Sequence, residues 1–232
     1  MKILQNASFV IILQSYFEIN LKKMELELIS IGVVIVFEKP LKFMPPLDDS
    51  FCKELFGSPI DTLYGLGPEG YIISLKNKPV PAIVLSLDRI VFKANNKEDL
   101  YRYIDEFDKK FRDLDIVKSF SVFGINYEYQ CLNLEDSSEN WLWEHFINKK
   151  IKTGSEYQIC NKLSLRFGVN SNETLGIEIE PRTGRRDGLF LNINHHHNIR
   201  LDSFPKQDIL SEYIDKSLDT VQKKYIPTLI KD

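Results

Sequence analysis

Nothing in this chain staples it, spans a bilayer or gives it a strong charge of one sign. The three cysteines, Cys52, Cys131 and Cys160, are odd in number and widely spaced, with no Cys-x-x-Cys pair. That excludes a disulfide framework or a zinc knuckle and reads as buried or free thiols in a reducing compartment. No apolar run approaches the ~20 residues that a spanning helix needs. The run Phe9 to Leu13 has only Lys2 before it and no small-residue cleavage site after it, so it reads as a strand rather than a signal. The expectation is a cytoplasmic protein without membrane contact. Met24 opens a more typical strand, so Met1 and Met24 both stand as starts. With 30 basic against 33 acidic residues and a net charge of -3, no field over the whole protein draws nucleic acid, and only a local patch could.

Catalytic signatures are missing too. The chain has no G-x-S-x-G elbow, no P-loop, no H-E-x-x-H and no cysteine in a nucleophile signature, the short motifs that place a nucleophile, a phosphate cradle or a zinc ion. One match, Gly65-Leu-Gly-Pro-Glu-Gly70, spells G-x-G-x-x-G. A dinucleotide site needs a helix after the loop, because the pyrophosphate rests on that helix's first amides. Here Pro68-Glu69-Gly70 turns the chain into a strand, Tyr71 to Lys76, so the match is read as a turn.

What the chain does have is an ordinary globular make-up, 232 residues with 43% apolar and 27% charged, enough to bury roughly 70% of its unfolded surface. Glu25 to Phe37 alternates and then becomes continuously apolar, the pattern of a strand buried on both faces. Asp48 to Gly57 reads as a short helix. Ala82 to Ser86 and Ile90 to Lys93 make a hairpin. Asn96 caps a helix whose apolar positions, Leu100, Tyr103, Ile104, Phe107, Phe111 and Leu114, share one face. A strand follows to Cys131, and Asp136 with Glu139 fits a capping box before a short helix. Strands are expected at Tyr157 to Val169, Thr174 to Glu180, Leu189 to Asn194 and Asn198 to Leu201. A last helix from Pro205 carries Leu210, Tyr213, Ile214, Leu218, Val221 and Tyr225 on one face and is ended by Pro227.

The fold class is therefore α+β, a mixed or antiparallel sheet with amphipathic helices on one side, in a single domain over 1–232. The order of elements in 24–131 and 151–232 is alike. Lys97-Glu98-Asp99-Leu100 with Tyr103-Ile104-Asp105 parallels Lys206-Gln207-Asp208-Ile209 with Tyr213-Ile214-Asp215 after one inserted residue. Two related sheet-plus-helix units would explain this; chance likeness between amphipathic helices would too.

The hairpin ending in Leu87-Asp88-Arg89-Ile90, the helix after it and the strand Phe123-Gly124-Ile125-Asn126-Tyr127 resemble a sporadically distributed group of uncharacterised prokaryotic proteins. The likeness extends to the Leu189 to Asn194 strand and the closing helix, about half the chain. The group carries an Arg-Tyr pair before the asparagine where this chain has Ile125. The resemblance implies no assigned chemistry.

Three constellations are left as candidate sites. In the run His195-His196-His197, a strand would put His195 and His197 on one face, where two imidazoles could bind a divalent transition metal completed by Asp187, Asp202, Glu178 or Glu180. The asparagines on either side equally suit a polar hairpin turn. Arg182, Arg185 and Arg186, in the turn Pro181 to Gly188, could clamp a phosphate or a nucleic-acid backbone, or could simply face water. Trp141, Trp143 and Phe146 sit on one short helix with His145, as a protein interface or as core.

Two functional classes follow. The first is a non-enzymatic binding or regulatory protein acting through contact with a protein partner or with itself as a homodimer. The alternative is a metal-dependent phosphodiesterase or nuclease using the histidines, arginines and an acid. Passive nucleic-acid binding through Arg182–Arg186 comes third.

Overall fold

The computed structural model describes residues 24–44, 60–65, 70–75, 83–112, 120–147, 160–201, 205 and 207–230. The expected strand at Phe9 to Leu13, the expected helix at Asp48 to Gly57, and Asp202 lie outside them.

Nine strands form one sheet. They are β1 (Glu25–Phe37), β2 (Ile60–Gly65), β3 (Gly70–Leu75), β4 (Ile83–Ser86), β5 (Arg89–Ala94), β6 (Phe120–Leu132), β7 (Leu163–Asn170), β8 (Glu173–Pro181) and β9 (Leu189–His197). The sheet is antiparallel, in the order β2-β3-β4-β5-β1-β6-β9-β8-β7. From β1 and β6 at its middle, β5-β4-β3 run outward on one side and β9-β8-β7 on the other. The helices are α1 (Lys97–Arg112), α2 (Ser138–Leu142), α3 (Gln207–Thr220) and α4 (Ile226–Ile230), with single π-helical turns at Trp143–Ile147 and Val221–Tyr225.

The α+β expectation holds, with the sheet antiparallel throughout. Alternation does the sorting, since side chains two apart on a strand share a face. Ile31, Val33, Ile35 and Phe37 of β1, Ile90, Phe92 and Ala94 of β5, and Leu189, Leu191 and Ile193 of β9 are buried. Ser30 and Gly32 on the other parity are also buried, but Val34 and Val36 are only half-buried, so β1 is closed on both faces over Ser30–Val33 and not along the rest of its apolar run. Their side of the strand carries polar groups instead: Ser30 and Lys93 both donate to Glu128, each at 2.6 Å.

The glycine motif is structural. Gly65 pairs with Tyr71 in an antiparallel ladder, so no helix follows the loop. Gly70 has no room for a Cβ, which would collide with the carbonyl oxygen of Leu85 on β4; only glycine permits that approach.

Contacts divide the chain into two compact units. One comprises Leu28–Glu128, Ser164–Glu178 and Asn192–Asp232; the other comprises Met1–Glu27, Tyr129–Leu163 and Ile179–Leu191. These cuts differ from the division into 24–131 and 151–232.

In the first unit, α1 begins as expected, Asn96 Oδ1 accepting from the Asp99 amide at 2.8 Å. It buries Leu100, Tyr103, Ile104 and Phe107, and Phe107 meets Phe92 edge-on at 5.4 Å. The last helix buries Leu210, Ile214, Ser217, Val221 and Tyr225, and the Tyr127 hydroxyl donates to the Ile214 carbonyl at 3.2 Å. The buried Leu100, Ile104 and Phe107 thus have the spacing of Leu210, Ile214 and Ser217 with no inserted residue. Pro227 does not end this helix. It lies inside α4, and the π-helical turn Val221–Tyr225 precedes it. A proline lacks an amide and its ring crowds the carbonyl four residues back; the widened turn accommodates both.

In the second unit, the cap of α2 is Ser137, whose side chain accepts from the Asn140 amide. The sequence pointed to Asp136, which instead accepts from the Ser137 amide at 2.6 Å. Cys131 and Cys160 are buried free thiols, and burial pushes the Cys131 thiol up to about 11. Among the described residues, no helix is long and apolar enough to cross a membrane.

Candidate functional site

The three histidines form no turn. They continue β9 to its end. Leu189, Leu191 and Ile193 set the core-facing parity, and His195 and His197 extend it, 4% and 2% exposed. His196 takes the other parity and lines a shallow groove with Ser164, Arg166, Thr174, Glu178 and Asn194. Of the asparagines that suggested a hairpin turn, Asn194 belongs to this same groove, and Asn198, just past the strand's end, donates its amide to the Asn172 carbonyl at 2.7 Å.

The acid that meets the imidazoles is Glu173, which the sequence reading did not single out. It opens β8 on the parity of the buried Leu175, Ile177 and Ile179. His195 Nε2 lies 3.6 Å from one of its carboxylate oxygens, and His197 Nδ1 lies 3.7 Å from the other. Of the acids expected instead, Glu178 has the opposite parity and lines the groove, Asp187 pairs with Arg185, and Glu180 belongs, like Asp187, to the other unit. The signal was present in the pattern: one acid at a core position of an alternating strand.

Helix α3 covers the cluster. The Ser217 hydroxyl, itself buried, shares a 2.7 Å hydrogen bond with His195 Nδ1. Phe123 stacks on the His197 ring at 4.7 Å and 17°, and Tyr213 approaches the same ring edge-on at 5.2 Å. The two imidazoles lie 4.3 Å apart. Burial lowers the pKa of both. His197 falls to about 4, through burial first, then His195, with His196 and Lys216 adding and Glu173 opposing. His195 is lowered by burial, with Lys216 adding and Glu173 opposing. At neutral pH both rings are uncharged. His195 Nε2 and both nitrogens of His197 have no hydrogen-bond partner. Among the described residues, this is the one group of three side chains placed to hold a metal ion.

The arginine turn lies in the second unit, where it serves the backbone. The Arg186 carbonyl accepts from the Ser138 amide at 2.8 Å, the Asp187 carbonyl from the Leu134 amide at 3.1 Å, and the Gly188 carbonyl from the Arg182 amide at 2.8 Å. Gly184 supplies the left-handed residue of this turn, at φ 81°. Arg185 grips Asp187 with two bonds of 3.1 Å, which raises the pKa of its guanidinium. Arg182 is half-buried and Arg186 exposed.

Of the aromatic helix, Trp141 is buried, whereas Trp143 and Phe146 are half-buried. His145 stacks on Trp141 at 3.9 Å and its Nδ1–H donates to the Trp141 carbonyl at 3.0 Å. Trp141 and Leu142 lie three and four residues after the buried Ser138 and pack inward with it, whereas the π-helical turn from Trp143 onward buries none of its residues.

No family model matches the chain, and no curated protein is significantly similar to it.

Proposed function

We propose that this chain is a non-enzymatic binding protein that acts through protein–protein contact, with a second copy of itself as partner along β7. The observation that supports this reading is the state of that strand. β7 ends the sheet order, and no other strand among the described residues pairs with its outer side. None of its eight residues is buried. An edge strand presents a row of unpaired amides and carbonyls, which proteins usually blunt with charges, proline or a short length. Leu163-Ser-Leu-Arg-Phe-Gly-Val-Asn170 has one charge and no proline. Two such edges related by a two-fold axis pair antiparallel, which closes the contact as a dimer.

The alternative, metal-dependent phosphodiester hydrolysis, asks for an imidazole-bound metal with a position open to substrate. Both imidazoles here are buried, and that burial favours the binding reading.

Light scattering over a wide concentration range tests it. Successive amides on a strand point to opposite sides, so proline placed singly at Leu165 and at Arg166 removes one outward and one inward donor. The expected result is a dimer for the unaltered chain and a folded monomer for one of the two variants. A monomer at every concentration overturns the proposal.

A further inference from the structure

We propose that Glu173, His195 and His197 form a binding site for one divalent transition-metal ion of the zinc class, held between β8, β9 and α3. Three facts of geometry carry this, and none depends on the β7 contact.

The first is spacing. A direct hydrogen bond between carboxylate and imidazole would close to about 2.7–3.2 Å. The two contacts stand at 3.6 and 3.7 Å, and all three donor atoms lie within 4.8 Å of one another. Two ligands at 2.0–2.1 Å from a tetrahedral zinc ion lie about 3.3 Å apart. Each nitrogen–oxygen contact is thus longer than a strong hydrogen bond and within a few tenths of an ångström of the spacing of two ligands on one cation, and the remaining edge of the group is no more than 4.8 Å.

The second is orphaned donors. His195 Nε2 and His197 Nδ1 have no hydrogen-bond partner in side chains 4% and 2% exposed, and both face the Glu173 carboxylate. Buried polar atoms are seldom left so, because each loses its hydration without replacement. A metal ion takes both lone pairs and the carboxylate at once.

The third is orientation. The 2.7 Å bond between His195 Nδ1 and Ser217 Oγ fixes the ring's orientation, and with Nδ1–H as its donor, the tautomer a bound metal requires, Nε2 presents its lone pair toward Glu173. Ligand histidines are commonly fixed in this way by a bond to their second nitrogen. Phe123 and Tyr213 fix the His197 ring from its face and its edge.

Two imidazole nitrogens and one carboxylate oxygen select zinc, cobalt, nickel or ferrous ions over calcium and magnesium, which take oxygen alone. Three protein ligands leave a fourth position for a water-sized group. Because the cluster lies under α3, the ion is captured most readily as the chain folds, and the test must offer metal at that stage.

The full untagged chain is refolded from metal-free denaturant with zinc or cobalt, and in parallel the folded chain is titrated. The expected result is one tightly held equivalent, an intense visible spectrum for the cobalt form, and a thermal midpoint that rises with zinc. Glu173→Gln and His197→Phe weaken binding by more than ~100-fold, and Ser217→Ala by ~10–100-fold, the range of a second-sphere partner. His196→Ala, on the other face of β9, leaves it unchanged. Less than one equivalent after refolding with zinc overturns the proposal, as does undiminished affinity in Glu173→Gln. That variant keeps the volume and polarity of the site, so it decides the matter even if His197→Phe does not fold.

Discussion

Where α1 crosses β5, Phe107 meets Phe92 edge-on at 5.4 Å. Where α3 crosses β9, Ser217 meets His195 through a 2.7 Å hydrogen bond, with His197 and Glu173 alongside. The two helices share the spacing of three core positions, Leu100, Ile104 and Phe107 against Leu210, Ile214 and Ser217. They therefore approach the sheet with the same face and differ at the last of these positions. The first crossing needs nothing beyond apolar area and an aromatic pair, worth ~0.5–1.5 kcal/mol beyond that area. The second buries two imidazoles and a hydroxyl beside a half-buried carboxylate, and their desolvation opposes folding unless each finds a partner. An apolar lining serves the helix on β5, so stability alone does not call for the polar one on β9. The difference points to a group that the polar lining receives.

The comparison is sharpest in stability. Phe107→Ala empties a site that is 0% exposed and should cost about 3–5 kcal/mol in denaturant unfolding, the range for a buried phenylalanine. The polar crossing should respond to acid instead. With chelator present, His197 titrates near 4 in the fold, against an ordinary value of 6.5 when unfolded. Between those values the unfolded chain binds the extra proton, so the contribution of His197 to stability falls as pH drops from 6.5 towards 4 and changes no further below it. The loss is on the order of 3 kcal/mol from His197, and His195 adds in the same direction. Unfolding midpoints measured across this range check it. A flat profile would mean that the imidazoles reach water in the folded state, and the two crossings would then be alike.

Much of this was legible from the sequence. The spacing of Leu100, Tyr103, Ile104 and Phe107 marked the buried face of α1, and the alternation of Leu189, Leu191 and Ile193 marked that of β9. The expectation of a turn at the histidines fails because polarity does not end a strand, and parity runs on unbroken through His195 and His197. Ser217 went unmarked for the same reason, as a polar residue three after Ile214 in an otherwise apolar stripe. Glu173 shares a face with Ile177, which alternation can show. That it stands against His195 depends on β8 lying beside β9 and on where the hairpin sets its register, and neither is written in local spacing. Pro227 misled because a π-helical turn is a tertiary accommodation with no signature in the residues before it.

Ser217→Ala is the smaller perturbation at the polar crossing. It leaves His195 Nδ1 buried with its bond removed, and should cost about 1–3 kcal/mol in metal-free protein, less than the loss of a whole aromatic ring at α1. The smallest effect is expected at a contact the two helices share. Lys97 of α1 forms an ion pair with Asp215 of α3, the two side chains being 35% and 55% exposed. Water screens a pair this open and the long side chain loses rotamers to hold it, so Lys97→Ala should change stability by less than about 1 kcal/mol, and by less again in high salt. A larger loss in thermal or denaturant unfolding would mean that the two crossings are coupled through their helices. The acid response of one could then no longer be read independently of the packing of the other.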